Sequence, residues 1–344
     1  MLRKKFHHQK GWISMHGTTK LKGGIFKRVE KMIFLKKLIT MVVLSFLLSP
    51  LSVIASSIEE GREALENENY AVALENFRPL AEEGNPDAQA FLGGMYLSGR
   101  GVDQNFEKAA DWLKLAADQD DAIAQNNLGW LYQNGRGVPR DFQEAMRWYR
   151  QAAEQGMAGA QQNLALMYYY GKGVRRNYSE AARWFGLASE QGLVKAQEYL
   201  GTMYFTGKGV ANNHEEAARW HTLAAEQGSR GAQYSIAVMY VQGSGVEQNY
   251  GTAAMWYRRA ASQGDKHALS NLSSLYGQGL GADENIVLAY VYASLAADLG
   301  DHNGVENRDF AASLLNSGQI AEGQRLAEEW QVGTPLPTET ETWP

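Results

Sequence analysis

The sequence predicts an all-α protein, a solenoid of antiparallel helix pairs built on 36-residue repeats. Three observations carry that prediction. A Gly-x-Gly pair followed by Val or Ala recurs at Gly99, Gly135, Gly171, Gly207, Gly243 and Gly279, always 36 residues apart. Before each pair, apolar residues fall four apart, as in Ala88, Leu92 and Tyr96. After each pair, an Asn or Asp precedes a stretch rich in alanine and aromatic residues. Four-residue spacing puts side chains on one face of an α-helix. Two short helices cannot bury a core alone, so each unit must stack on its neighbours.

The first helix of the unit repeats as Ala124, Leu128 and Tyr132, and again as Ala196, Leu200 and Tyr204. Small residues at Gly93, Gly129, Ala165, Gly201, Ala237 and Ser273 predict a close approach by another backbone at that position. The glycine pair supplies a sharp turn with positive φ. The second helix opens on Asn105, Asp141, Asn177, Asn213, Asn249 or Asn285, side chains that accept hydrogen bonds from free N–H groups. Glu144, Glu180 and Glu216 stand three residues further on, the spacing of a reciprocal capping box. Trp112, Trp148, Trp184, Trp220 and Trp256 recur beside the alanines of this helix. That register reads as core between units rather than a sugar-stacking ladder.

The assembled pattern, A-x3-LG-x2-Y-x2-GxGV-x2-(N/D)-(F/Y)-x2-A-x2-W-x3-AA, resembles the Sel-1-like repeat, a longer relative of the tetratricopeptide repeat. It covers residues 85–300 as six units, the sixth departing at "GLGA", with Ile286 for the usual aromatic and Tyr292 for the Trp. The resemblance implies a right-handed superhelix with first helices lining its concave side, and a role in holding a protein or peptide partner.

The ends differ. Residues 56–84 read as a tetratricopeptide-like capping unit, 301–333 as capping helices, and the Pro/Thr/Glu-rich 334–344 as a disordered tail. Residues 32–55 have a basic start, an apolar run from Leu38 and Val53-Ile54-Ala55 before Ser56, the layout of a secretory signal cleaved after Ala55. The basic residues 1–31 read as an upstream extension, with Met32 the true start or the whole a long leader. Residues 1–55 hold 11 Lys/Arg and one acid, Glu30, leaving 22 Lys/Arg against 37 Asp/Glu, a balance of about −15. So acidic a body, without a basic stripe, argues against nucleic acid and anionic membrane surfaces as partners. The chain has no cysteine, which removes disulfides, thiol catalysis and thiolate-bound zinc. The expected location is periplasmic or secreted.

No catalytic cassette emerges. Gly171-Lys172-Gly173-Val174 has the wrong spacing for a phosphate-binding loop and follows a helix rather than a strand. His214 and His221 replace aromatic residues of the repeat, and the reading preferred is an imidazole in an aromatic slot over a metal pair. No cofactor or metal is expected, and no enzyme activity. A β-lactamase-like hydrolase, known in cysteine-rich relatives, is the remote alternative.

Positions that vary within regular helices are free for recognition. On the first helices these include Asn126, Trp130, Gln133, Asn134, Gln162, Tyr169, Tyr170, Glu198, Phe205, Tyr234 and Val241. Trp130, Tyr169, Tyr170, Phe205 and Tyr234 would form an exposed aromatic strip, and such rings anchor contact sites. In residues 168–170, Tyr168 is expected in the core. The partner expected is a protein or peptide, with peptidoglycan or another polysaccharide as the alternative.

Overall fold

A computed structural model describes Lys36 and residues 50–337 of the 344-residue chain. The extension at 1–31, most of the predicted signal at 32–55 and residues 338–344 lie outside the described residues. Sixteen helices run from Pro50 to Glu329, with no strand among the described residues. The chain divides into two compact units, residues 1–88 and 89–344. The first holds α1 (Pro50–Glu66) and α2 (Tyr70–Glu82), packed through Phe77, whose ring lies over Gly61.

From Pro86 onward the pairs follow in order: α3 (Pro86–Ser98) with α4 (Phe106–Ala117), α5 (Ala122–Asn134) with α6 (Phe142–Glu154), α7 (Ala158–Tyr170) with α8 (Tyr178–Glu190). Then come α9 (Val194–Thr206) with α10 (His214–Glu226), α11 (Arg230–Gln242) with α12 (Tyr250–Ser262), and α13 (Lys266–Gly277) with α14 (Ile286–Asp298). The last helices are α15 (His302–Leu314) and α16 (Ser317–Glu329). From α5 to α14, each first helix packs on the second helix of its own pair, and that helix packs on the next first helix.

The turn between paired helices recurs in the four middle pairs. Gly135, Gly171, Gly207 and Gly243 end their helices in the left-handed conformation, φ 63 to 72°, each N–H donating to a carbonyl four residues back. The second glycine of the pair contacts the preceding repeat: a Cβ on Gly209 (φ 76°) would lie 2.2 Å from the Tyr178 carbonyl oxygen. Here the loop meets backbone, and glycine is required twice over. The close approach expected at Gly93, Gly129 and Gly201 is made by the paired helix: the side chains of Leu113, Tyr149 and His221 lie over those positions, with backbone atoms of Leu113 and Ala145 beside the first two.

Every predicted cap of a second helix forms. The Asn177 side chain accepts from the Glu180 N–H, and the Asp141 and Asn213 side chains each accept from two N–H groups. The reciprocal half of the capping box does not form there. The cap's own N–H already donates to a tyrosine carbonyl of the first helix, Asp141 to Tyr132, Asn177 to Tyr168 and Asn213 to Tyr204, each at 3.0 Å. Glu144, Glu180 and Glu216 pair with Arg147, Arg183 and Arg219 one turn on instead. A complete box appears at Asn316 and Gln319, where α16 begins.

Trp148, Trp184, Trp220 and Trp256 are buried as expected; Trp112 is half-buried. An arginine lies across several of these rings, as close as 3.8 Å for Arg147 on Trp148. A buried glutamine ladder was not foreseen. Gln125, Gln161, Gln197 and Gln233 each donate to a carbonyl at the end of the preceding repeat's second helix. Each also accepts from the glutamine 30 residues on, at 2.8 to 2.9 Å.

The chain after α16 corrects the expectation of disorder from Thr334. Gly333 N–H donates to the Ser262 carbonyl at 2.7 Å, Leu336 is buried, and the Tyr292 hydroxyl donates to the Pro337 carbonyl at 2.5 Å. Leu336 is apolar in a polar segment, and its burial against the last repeat holds residues 331–337 in place. No helix among the described residues is long and apolar enough to cross a membrane.

Candidate functional site

Among the expected aromatic contacts, only Trp130 and Tyr170 are exposed, at 39% and 54%. Tyr169, Phe205, Tyr234 and Val241 are half-buried against the core. The reason is that these rings meet others on the paired second helix and on the next first helix. Tyr169 makes edge contacts with Tyr170, Tyr178, Phe185 and Tyr199, centroids 5.1 to 6.3 Å apart. Tyr199 in turn stacks flat on Phe185, at 4.9 Å and 4°. Its hydroxyl bonds that of Tyr170 at 2.7 Å, and burial among these neighbours raises its pKa. Tyr168, expected in the core, is half-buried and accepts at its hydroxyl from Arg150.

The polar candidates are also partly engaged. Asn126 accepts from Asn163 of the next repeat, and Asn134 donates to the Trp130 carbonyl. Gln133 and Gln162 are half-buried, the latter with a buried, unpartnered Oε1. Glu198 accepts from Ser229 across the repeat boundary and pairs with Lys195.

Phe205 and Tyr234 do come together. They wall a cavity of about 170 Å³ between α9 and α11, completed by Thr202, His221, Ser235, Val238 and Met239. His221, on α10, is 4% exposed and its Nδ1 has no hydrogen-bond partner. Burial lowers its pKa to about 4, with Glu198 opposing, so the imidazole is neutral at pH 7. The ring occupies the slot of Tyr149, Phe185 and Tyr257, as its register predicted. His214 is stacked on Phe205 at 4.8 Å and shares a hydrogen bond with Ser244. Among the described residues no three His, Cys, Asp or Glu side chains group as metal ligands would.

Sequence reasoning named Phe205 and Tyr234 as contacts, placed Thr202 and Val238 among the varied positions and read His221 as a slot filler, but left out Ser235 and did not bring these residues together. The available signal was the column of the repeat: 36 residues before Ser235 stands Tyr199, and 36 before His221 stands Phe185.

Six Sel1 repeats match the chain, at residues 86–121, 122–157, 158–193, 194–229, 231–265 and 266–301, more than half its length. The chain belongs to the Sel1 repeat family. A Sel1 repeat protein from Oxalobacter formigenes is 33% identical, with a TM-score of 0.60 over 70% of this chain and 96% of its own. Two further structures cover less well in space. One is c5321, a protective antigen of uropathogenic Escherichia coli strains displaying an SLR fold (25% identity, TM-score 0.43, 80% of this chain and 83% of that one). The other is the immunity protein Pa5087 from Pseudomonas aeruginosa (22%, 0.35, 64% and 83%). No curated protein matches. As a Sel1 repeat protein, the chain has a scaffold fold consistent with protein interaction, and its 36-residue units coincide with the family's repeat boundaries to within a residue or two.

Proposed function

We propose that this Sel1 repeat protein is a non-catalytic scaffold of the bacterial envelope, exported by cleavage after Ala55, that binds a protein or peptide on the face formed by its first helices. The observation that carries this reading is the apolar cavity between α9 and α11. It opens on the same helix set that presents the exposed rings of Trp130 and Tyr170. Concave apolar sites with a few polar groups are where ligands and anchoring side chains seat. Sugar stacking needs flat rings open to solvent, and Tyr169, hemmed in by four rings, does not offer one.

The test is affinity capture from envelope extract on the full chain produced with its export segment, its intact mass expected to begin at Ser56. A Trp130→Ser, Tyr170→Ser double variant runs beside it. Because Tyr170 also bonds Tyr199, the melting temperature of the variant is measured alongside to show that it stays folded. A protein retained by the natural chain and lost by the variant is the expected result. Equal retention by both, or a bait that still carries residues 1–55, would contradict the corresponding part of the reading.

A further inference from the structure

The repeat supplies its own comparison for the cavity between α9 and α11. One repeat earlier, the same space is closed by Tyr199, stacked at 4.9 Å on Phe185. A shift of 36 residues carries Tyr199 onto Ser235 and Phe185 onto His221. The following repeat closes the site in another way: Tyr257 stands at the floor, and Asn271, in the column of Ser235, donates to its hydroxyl at 3.0 Å. Between these two copies a short floor ring is combined with a short wall residue. What remains is a space of about 170 Å³, close to the roughly 150 Å³ that holds a benzene ring in an engineered protein cavity.

The two hydroxyls on this space are left as acceptors after internal bonding. Ser235 Oγ donates to the Gly231 carbonyl and Thr202 Oγ1 to the Glu198 carbonyl, so each hydroxyl turns only lone pairs outward. His221, 96% removed from solvent, has an unpartnered Nδ1. A buried polar atom without a partner is costly unless a ligand supplies one. Phe205 and Tyr234 provide the apolar walls.

We propose that this cavity receives a tyrosine side chain of a partner polypeptide, its ring taking the place that Tyr199 takes one repeat earlier and its hydroxyl donating to the acceptors of the wall. The inference rests on the partner-binding reading above and names the anchor. The ring complements the space because the chain itself fills the preceding copy with tyrosine. The hydroxyl complements a wall that lacks a free donor at Ser235 and Thr202.

The experiment titrates p-cresol, the tyrosine side chain as a free molecule, into the full chain and follows backbone amide shifts. Toluene serves as the hydroxyl-free control and a pentapeptide with one central tyrosine as the polypeptide probe. Shifts confined to α9, α10 and α11, with p-cresol and the peptide binding and toluene weaker by roughly tenfold, are the expected result. Ser235→Tyr restores the chain's own filler, abolishing binding and raising the melting temperature. Tyr199→Ser opens a second site and adds shifts in α7 and α8, which keeps the test decisive if Ser235→Tyr misfolds. Absence of p-cresol binding, binding unchanged by Ser235→Tyr, or toluene binding equally well would overturn the proposal. So would p-cresol binding without the peptide, which indicates a small-molecule pocket, or self-association of the chain lost in Ser235→Tyr, which indicates a second copy as occupant. A captured partner still retained by Ser235→Tyr but lost by the exposed-ring variant would leave the scaffold reading standing and the tyrosine anchor refuted.

Discussion

His221 shows how one residue can satisfy the packing of a repeat and change its chemistry. Its imidazole lies over Gly201 as the Tyr149 ring lies over Gly129, so the helix pair closes normally. The cost is electrostatic. With its pKa lowered to about 4 by burial, the folded chain resists the proton that the unfolded chain accepts near pH 6.5. His221 therefore contributes full stability above pH 6.5, and that contribution is lost as pH falls towards 4, a change on the order of 3 kcal/mol. His221→Phe, which copies the residue of the preceding repeat, should flatten this part of the profile. Urea unfolding midpoints of both proteins from pH 7.5 to 4 check it; parallel slopes would mean that His221 is not held neutral. Tyr170 carries the complementary lesson. It is exposed, yet its hydroxyl is bonded to Tyr199, so exposure alone does not make a side chain free for a partner.

The element of this fold is a helix pair joined by a loop whose hydrogen bonds are settled before any stacking. Glycine in the left-handed conformation ends the first helix, and the cap residue's N–H ties the loop back to a tyrosine carbonyl. Because that donor is in use, the glutamate three residues on contributes only a surface pair with arginine. Asn177→Ala should cost about 1 kcal/mol, the usual worth of a helix cap. Glu180→Ala should cost no more than about 0.5 kcal/mol, the worth of a helix-surface ion pair. Chemical denaturation of the two variants measures the difference; equal losses would restore the reciprocal box predicted from sequence. The glutamine ladder belongs to this scale too. Where Leu269 replaces the buried glutamine, Leu299 replaces its partner 30 residues on, so donor and acceptor leave together and neither is orphaned.

At the scale of the repeat stack, stability is a sum of neighbouring contacts, so the last repeat must be covered. Helices α15 and α16 do part of this, and residues 331–337 do the rest through Leu336 and the Tyr292 hydroxyl. Deleting residues 333–344 should remove about 2 kcal/mol of apolar burial from Leu336. The loss should stay local: amide exchange should quicken in α12 and α14 and remain unchanged in α5 and α6. Uniform quickening along the chain would mean that the stack unfolds as one unit, not repeat by repeat. The cavity between α9 and α11 lies two helices or more from either end of the second unit, where such end effects do not reach it.

The sequence by itself determined the period, both helices of each pair, every second-helix cap, the turning glycines and the family, because each rests on local hydrogen bonding or on spacing along one chain. It also determined the aromatic slot of His221, since register alone assigns it. The tertiary structure decided which varied positions are open. Tyr169 and Phe205 share a column with Gln133 and Val241, and nothing in that column says which ring will be covered by a neighbour. It also decided that the second glycine of the loop meets the backbone of the preceding repeat, and that Leu336 docks. The cavity is of this second kind. His221 and Ser235 are each unremarkable substitutions within a helix, and they matter because packing brings the floor of α10 against the wall of α11, where two small residues leave the volume of one ring.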